Sequence, residues 1–308
     1  MLDRSQSFVI LTLLSLTLAG MINHATADDA TTVYVTFSGE KRIARYSQDR
    51  KSGRLTPIAS VAIPGHAGGL TTSPDRKYLF AALREEGRLA SFLIESTGLK
   101  LLSDIPAGAD PAYIATDRSG KFLLTAYYVA NKVTVHAIDD AGRLNAEPVQ
   151  SIPTAPNAHG ILTDPTNRYV FVPHTSADSI FQFRFDPGTG RLESNEPAVL
   201  QRSPQTGPRH LAFHPKLPVV YIDNEQQSSV TWYRLDEKRG TLTANGTLST
   251  LPAGFDAVNS NADVEIHPSG RFLYFSNRGH DSIAMFSAVR DLRRGQRAVL
   301  DFGRRTIA

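Results

Sequence analysis

The sequence predicts an all-β fold of the β-propeller type, and three observations carry the prediction. First, six stretches repeat one pattern, a run of large apolar residues, a polar turn and a second alternating run. They are VYVTFSGEKRIARYS from Val33, KYLFAALREEGRLASFLI from Lys77, KFLLTAYYVANKVTVHAI from Lys121, RYVFVPHTSADSIFQFRF from Arg168, VVYIDNEQQSSVTWYRL from Val219 and RFLYFSNRGHDSIAMFSA from Arg271. Second, a recurrent turn anchors five units: SPDRK at Ser73, TDRSGK at Thr116, DPTNR at Asp164, HPKLP at His214 and HPSGR at His267. These anchors step by about 44 to 53 residues, the period of four-stranded blades set radially about a channel. Third, the runs are rich in Val, Ile, Phe and Tyr, are bounded by turn residues, and show no sustained helical period.

Before the repeats, the chain reads SFVILTLLSLTLAG from Ser7, with Arg4 ahead of it and Ala25-Thr26-Ala27 behind. A charged start, a short apolar core and a small-x-small site predict a cleaved signal peptide over residues 1–27. The apolar run is shorter than the ~20 residues a bilayer span needs, so the expectation is export to the periplasm or medium, with no membrane association after cleavage. A propeller domain is expected over residues 28–289. It opens with the last three strands of a blade, from Thr32 to Ile63, and continues with four full units from near Gly65, Gly108, Ala155 and Gly207. Tight glycine turns close the outer hairpins at KSGRL (Lys51), DAGRL (Asp140), GTGRL (Gly188) and KRGTL (Lys238), where a positive φ is needed. A further unit begins near Ser260 and runs to a third strand ending at about Ala288.

The segment after Val289, RDLRRGQRAVLDFGRRTIA, lacks the blade pattern and carries six arginines against two aspartates. Residues 290–308 are therefore expected to form an irregular basic tail, out of register with an ancestral sequence. With no strand to complete the opening blade, the ring is expected to be incomplete, five to six blades, and open. The formal charge of +3 resides in that tail, so the body is close to neutral and lacks the basic face of a nucleic-acid binder. The absence of cysteine excludes disulfides and thiolate chemistry. The nine histidines show no paired zinc spacing, and no GxSxG elbow is present. No metal and no cofactor are expected. His214 and His267 precede prolines in blade turns and read as turn residues, Trp232 reads as core, and Asn245-Gly246-Thr247 is a glycosylation sequon meaningful only in a eukaryotic secretory host.

In a propeller blade the innermost strand starts at one face of the ring, and the loop after the second strand returns to that face. His159, Arg209, His210 and Asp263 lie at starts of innermost strands, and Glu225 and Arg278 at ends of second strands, so all converge on one mouth of the channel. Opposite charges gathered in a concavity make the default site. A histidine or glutamate there can activate water, and arginines can stabilise an oxyanion or clamp an anionic group. Strict strand alternation would turn His210 away from its neighbour Arg209, which favours a structural role for it. The plainer reading of Arg209 and Glu225 is a salt bridge between adjacent strands.

The stretches GPRHLAFHP from Gly207, VVYIDNEQQSSV from Val219, NADVEIHPSGRFLYFSNRGHDSIAMF from Asn261 and NAHGILTDPTNRYVFVP from Asn157 resemble the 6-phosphogluconolactonase family of seven-bladed propellers. That family also includes the fungal carboxy-muconate cycloisomerase. The resemblance spans about Thr32 to Ala288, and its most specific part is GPRH…NE, with Arg209 and Glu225 sixteen residues apart. It implies hydrolysis of a sugar lactone, 6-phosphogluconolactone or a gluconolactone-like molecule. It also implies that His159, Arg209, Glu225 and Arg278 are the catalytic positions, with either Glu225 or His159 as base. His210, Asn224 and Asp263 are assigned to substrate binding beside them. A non-catalytic, YVTN-like envelope propeller and a muconate-type cycloisomerase are the alternatives, and export itself favours an unphosphorylated lactone.

Overall fold

A computed structural model of the chain describes residues 30–291 and 297–307. The segment 1–27, expected as a signal peptide, lies outside the described residues. Two compact units divide at Ile63/Pro64.

The first unit holds a three-stranded antiparallel sheet of β1 (Ala30–Phe37), β2 (Arg42–Asp49) and β3 (Leu55–Ala62). These are the three strands expected ahead of the full repeats. The second unit holds five four-stranded antiparallel sheets. Blade 1 comprises β4 (Ala67–Thr72), β5 (Tyr78–Leu83), β6 (Arg88–Ile94) and β7 (Leu99–Pro106). Blade 2 comprises β8 (Pro111–Thr116), β9 (Phe122–Tyr127), β10 (Lys132–Ala137) and β11 (Gln150–Pro153). Blade 3 comprises β12 (Leu162–Thr163), β13 (Tyr169–His174), β14 (Ser179–Asp186) and β15 (Arg191–Gln201). Blade 4 comprises β16 (Pro208–Phe213), β17 (Val219–Asn224), β18 (Ser229–Asp236) and β19 (Thr241–Ser249). Blade 5 comprises β20 (Ser260–Ile266), β21 (Phe272–Arg278), β22 (Ser282–Asp291) and β23 (Arg297–Ile307). Among the described residues the helical element is a single 3-10 turn at Ser38–Glu40.

One feature of blade 5 departs from the sequence reading. Arg297–Ile307, expected as irregular tail, is a strand paired antiparallel with β22 from Asp291↔Arg297 to Ile283↔Ile307. The free edge of β22 presents unpaired backbone N–H and C=O groups. A following segment can satisfy them whatever its side-chain pattern, so the lack of a blade signature did not exclude a strand.

Why the sheets stack is legible in their second strands. Those of blades 2 to 4 are buried on both faces, and alternate residues feed different cores. In β17, Val220 and Ile222 pack toward blade 3 with Phe171 and Ile180, whereas Val219 and Tyr221 pack toward blade 5 with Leu273 and Phe275. The same division places Leu123 and Tyr127 with Phe80 of blade 1, and Leu124 and Ala126 with Val170 and Val172 of blade 3. Four apolar interfaces thus join five consecutive sheets face to face. Their innermost strands β4, β8, β12, β16 and β20 together line one channel cavity of about 480 Å³.

The recurrent turns are the polar joints. Each closes its hairpin with the same backbone bond, from Ser73, Asp117, Asp164, His214 and His267 N–H to the carbonyl five residues on. The side chain of the first residue then caps the turn. Asp164 accepts from the amides of Thr166, Arg168 and Tyr169. His214 accepts from Lys216 and Leu217 through Nδ1 and donates Nε2–H to the Gly270 carbonyl of the next blade. The glycine turns form a second joint. Gly240 (φ +66°) lies beneath the Tyr169 ring of the preceding blade, whose hydroxyl donates to the Lys238 carbonyl at 2.7 Å. A Cβ there would meet the ring, and the positive φ disfavours any side chain.

Candidate functional site

Irregularity at the starts of the innermost strands builds the site. In β16, Pro208 pairs with Asn224 and Leu211 with Ile222, so Arg209 and His210 together oppose Asp223 alone. This bulge breaks strand alternation and lets both side chains serve the mouth. It also leaves the His210 amide without a ladder partner, and Asp223 Oδ1 accepts that N–H at 2.7 Å. In β20 a similar slip sets Ala262 and Asp263 opposite Ser276. His159 precedes the two-residue strand β12 and is held by its N–H donating to the Pro173 carbonyl. Alternation would have turned His210 away from Arg209; the bulge instead sets its ring against both His159 and Asp263.

Two linked groups form the mouth. Glu225, just past β17, faces two guanidiniums: Oε1 accepts from Arg278 Nη2, and Oε2 lies 3.6 Å from Arg209 Nε. The latter separation is too long for a hydrogen bond, and Arg209 Nε is buried without a hydrogen-bond partner among the described residues. Arg278 also donates to the Asn261 carbonyl at 2.9 Å, yet its side chain stays 49% exposed, against 12% for Arg209. Arg278 can therefore reach a ligand from the rim, while Arg209 forms the floor.

The second group is a chain of three side chains. Asp263 Oδ1 lies 2.8 Å from His210 Nδ1, and His210 Nε2 lies 3.2 Å from His159 Nδ1. Arg209 Nη1 is 3.2 Å from both ring nitrogens of His210, as stacking over the ring requires. Tyr113 packs on His210 with ring centroids 4.9 Å apart, and Tyr128 meets His159 edge-on at 5.2 Å. Burial holds the His159 imidazole down to about 2, helped by the positive charge of Arg209, so the ring is neutral. Asp263 is pushed up by burial, but the hydrogen bonds from His210 and the Val264 amide, with the charge of Arg209, outweigh this and leave it below the usual carboxylate value. Burial also lowers Arg209, against the pull of Asp223 and Glu225.

Asp223 lies directly behind the bulge, fully buried, with Oδ2 unpartnered among the described residues. Burial pushes its carboxyl up to about 6, although His210 and Arg209 pull it down. Between about pH 4 and 6 the folded protein holds a proton that the unfolded chain has released. Stability from this group therefore falls as pH rises through that window and is level above it, with a slope of up to ~1.4 kcal/mol per pH unit. Urea midpoints of wild type and Asp223→Asn, compared from pH 4 to 7, are expected to diverge in the variant's favour until about pH 6 and then run parallel.

His159, Arg209, His210, Glu225, Asp263 and Arg278 are thus brought together, as the sequence reading expected of the mouth. Asn224 is not. Its Nδ2 donates to Ser229 Oγ and Thr231 Oγ1 inside blade 4, and the residue is fully buried. The assignment of Asn224 to substrate binding is therefore corrected. It is the last β17 residue, and pleating turns its side chain into the sheet packing, whereas Glu225 has left the strand. Among the described residues no group of three or more His, Asp or Glu side chains is placed to hold a metal ion.

The family profile described as lactonase, 7-bladed beta-propeller, matches residues 30–298. The chain belongs to the lactonase family of seven-bladed β-propellers. Among curated relatives it is 33% identical over 240 residues to the 6-phosphogluconolactonase of Pectobacterium carotovorum, covering 78% of this chain and 72% of that one. It is 33% identical over 255 residues to the 6-phosphogluconolactonase of Xenorhabdus nematophila, covering 82% and 76%. In fold it is similar to the periplasmic gluconolactonase of Pseudomonas aeruginosa, with a TM-score of 0.78 and 24% identity over 90% of this chain and 82% of that one.

Within this lactonase-family frame, sequence reading passed over Tyr113, Tyr128, Arg84 and Asp223. A signal existed for the first three. Tyr113, His210 and Asp263 each stand four residues before a turn anchor (Asp117, His214, His267), so aligning the anchors marks Tyr113 as a mouth position. Arg84 and Tyr128 each follow a second strand, as Glu225 does, and Arg84 approaches both Tyr128, 5.8 Å above its ring, and Asp110, at 3.4 Å. Asp223 gave no such signal, because its role follows from the bulge.

Proposed function

We propose that this chain hydrolyses an uncharged sugar lactone at the mouth of the channel. The observation that carries the reading is a neutral, buried His159 joined through His210 to an arginine pair that retains an unpartnered donor. In this reading His159 takes a proton from the attacking water. Arg209 and Arg278 stabilise the oxyanion as the carbonyl carbon becomes tetrahedral. Glu225 faces both guanidiniums and holds them in place, which leaves His159 the better placed of the two candidate bases. The adjoining channel cavity of about 480 Å³, which His210 and Asp263 line, has room for a six-membered lactone ring with its hydroxyls.

Charge balance supports the uncharged substrate. Arg209 and Arg278 share Glu225, Arg84 faces Asp110, and Asp263 and Glu265 add further carboxyls to the channel wall. A phosphate dianion would compete with these pairs, whereas a polyhydroxy lactone needs only hydrogen bonds. The apolar segment from Ser7 supports export, and an exported enzyme meets unphosphorylated lactones. The curated relatives are named for the phosphorylated lactone, so the two substrates are directly opposed. Steady-state hydrolysis of D-glucono-1,5-lactone and its 6-phosphate is expected to give at least a tenfold higher kcat/KM for the uncharged lactone, ~1.4 kcal/mol of discrimination. A preference for the phosphate ester would overturn the substrate and keep the reaction class. No turnover of either lactone would overturn the reaction class.

A further inference from the structure

We propose that His210 and Asp263 are positioning residues that carry the proton accepted by His159 away from it, so that positive charge comes to rest on His210 beside the Asp263 carboxylate. This rests on the hydrolytic reading above and extends it to two residues on neighbouring blades. The geometry is a continuous path. His210 Nδ1–H donates to Asp263 Oδ1 at 2.8 Å, which leaves Nε2 to accept from His159 Nδ1–H at 3.2 Å. With Nδ1 so engaged, Nε2 of His159 is the nitrogen left to meet water. Asp263 is fixed in turn by accepting the Val264 amide at 2.9 Å.

The path answers a difficulty in the site itself. His159 is 7% exposed and faces Arg209, so an imidazolium resting there would be poorly solvated and repelled. A base that cannot keep its proton is weak unless the proton moves on. As water attacks the carbonyl carbon, one water proton passes to His159 Nε2, and the Nδ1 proton of His159 passes to His210 Nε2. His159 is then neutral again with the opposite tautomer, and His210 is the cation hydrogen-bonded to a carboxylate. When the ring C–O bond breaks, the protons return along the same path and the ring oxygen leaves as a hydroxyl. The net change is one water added to one lactone, with no other reactant.

Every charged or titratable neighbour of His210 bears on this charge. Arg209 stacked on the ring opposes it, and Asp263, Asp223 and Glu265 favour it. Tyr113, packed on the ring from β8, remains a neutral phenol because burial raises it. Carboxylates outnumber the opposing guanidinium, as a transient cation requires.

Two measurements test the relay. In the first, His210→Gln and Asp263→Asn are compared with wild type in kcat, KM and pH–rate profile. The relay predicts kcat reduced by about 100-fold or more with KM changed less than about threefold, and rates that recover toward alkaline pH as hydroxide replaces the base. Wild-type kcat in His210→Gln would overturn the relay and leave the lactonase standing. In the second, ¹⁵N-histidine NMR of the wild-type protein reads the tautomers without any substrate. Protonation of both His159 and His210 at Nδ1, with His210 losing that preference in Asp263→Asn, is the expected result. An Nε2–H tautomer at His210 in the wild type would overturn the relay whether or not the protein turns over lactones. The expected tautomers without lactone turnover would sink the substrate reading alone.

Discussion

Replacing His159 with glutamine is expected to lower kcat on the accepted lactone by about 10²- to 10⁴-fold, the usual contribution of a positioned general base. KM should move little, because the proposed mechanism assigns Arg209 and Arg278, not the imidazole, to holding the lactone carbonyl. Glutamine retains a polar group at the Tyr128 contact and can still donate toward His210, so the blade interface should survive. The site's own electrostatics set the pH dependence. The imidazole is held down to about 2 by burial and by Arg209, so wild-type activity should show no acid limb from His159 above pH 4. Initial rates across pH 4 to 9 check both points. An unchanged kcat in the variant would return the role of base to Glu225.

The largest expected effect on stability lies far from the mouth. Asp117 is fully buried in the turn of blade 2. Its Oδ1 accepts from the Lys121 and Phe122 amides at 2.8 and 2.9 Å. Its Oδ2 accepts from the Ser119 amide and hydroxyl and from Asn167 Nδ2 of blade 3 at 2.7 Å. Asn167 reciprocates by accepting the Arg118 amide at 3.0 Å, so the two turns are locked together. Asp117→Ala leaves the buried Phe122 amide and the Asn167 side chain without partners, and a loss of about 3–5 kcal/mol is expected. Asp117→Asn keeps an acceptor for the two amides and should cost less than half as much. Urea unfolding followed by tyrosine fluorescence and by circular dichroism measures both. A loss under about 1 kcal/mol for the alanine variant would contradict the assigned joint.

Periodic features were readable from sequence, and aperiodic ones were not. The repeat marked the five units and their central strand pairs, because apolar alternation and turn chemistry are local properties. His214 and His267 were recognised as turn residues for the same reason: they occupy the anchor position held elsewhere by Asp117 and Asp164. Trp232 packs against the core between blades 4 and 5, as its alternating strand implies. The misses occur where local rules break. Two residues facing one across the β16 bulge put His210 into the site against alternation. Asn224 and Glu225 look equivalent at a strand end, yet one is pleated into the sheet and the other has left it. The strand β23 pairs through backbone groups that composition does not report. Asp223 matters only because a bulge leaves an amide for it to satisfy.

The measurement that bears most directly on the central claim is the rate of D-glucono-1,5-lactone hydrolysis by the purified chain from Asp28. It should be followed by acid release at fixed pH against the spontaneous rate, with His159→Gln as the matched control. The account predicts saturable turnover well above the spontaneous rate in the wild type and its collapse in the variant. A folded, monodisperse wild-type protein that leaves the spontaneous rate unchanged, for this lactone and for its 6-phosphate, would contradict it.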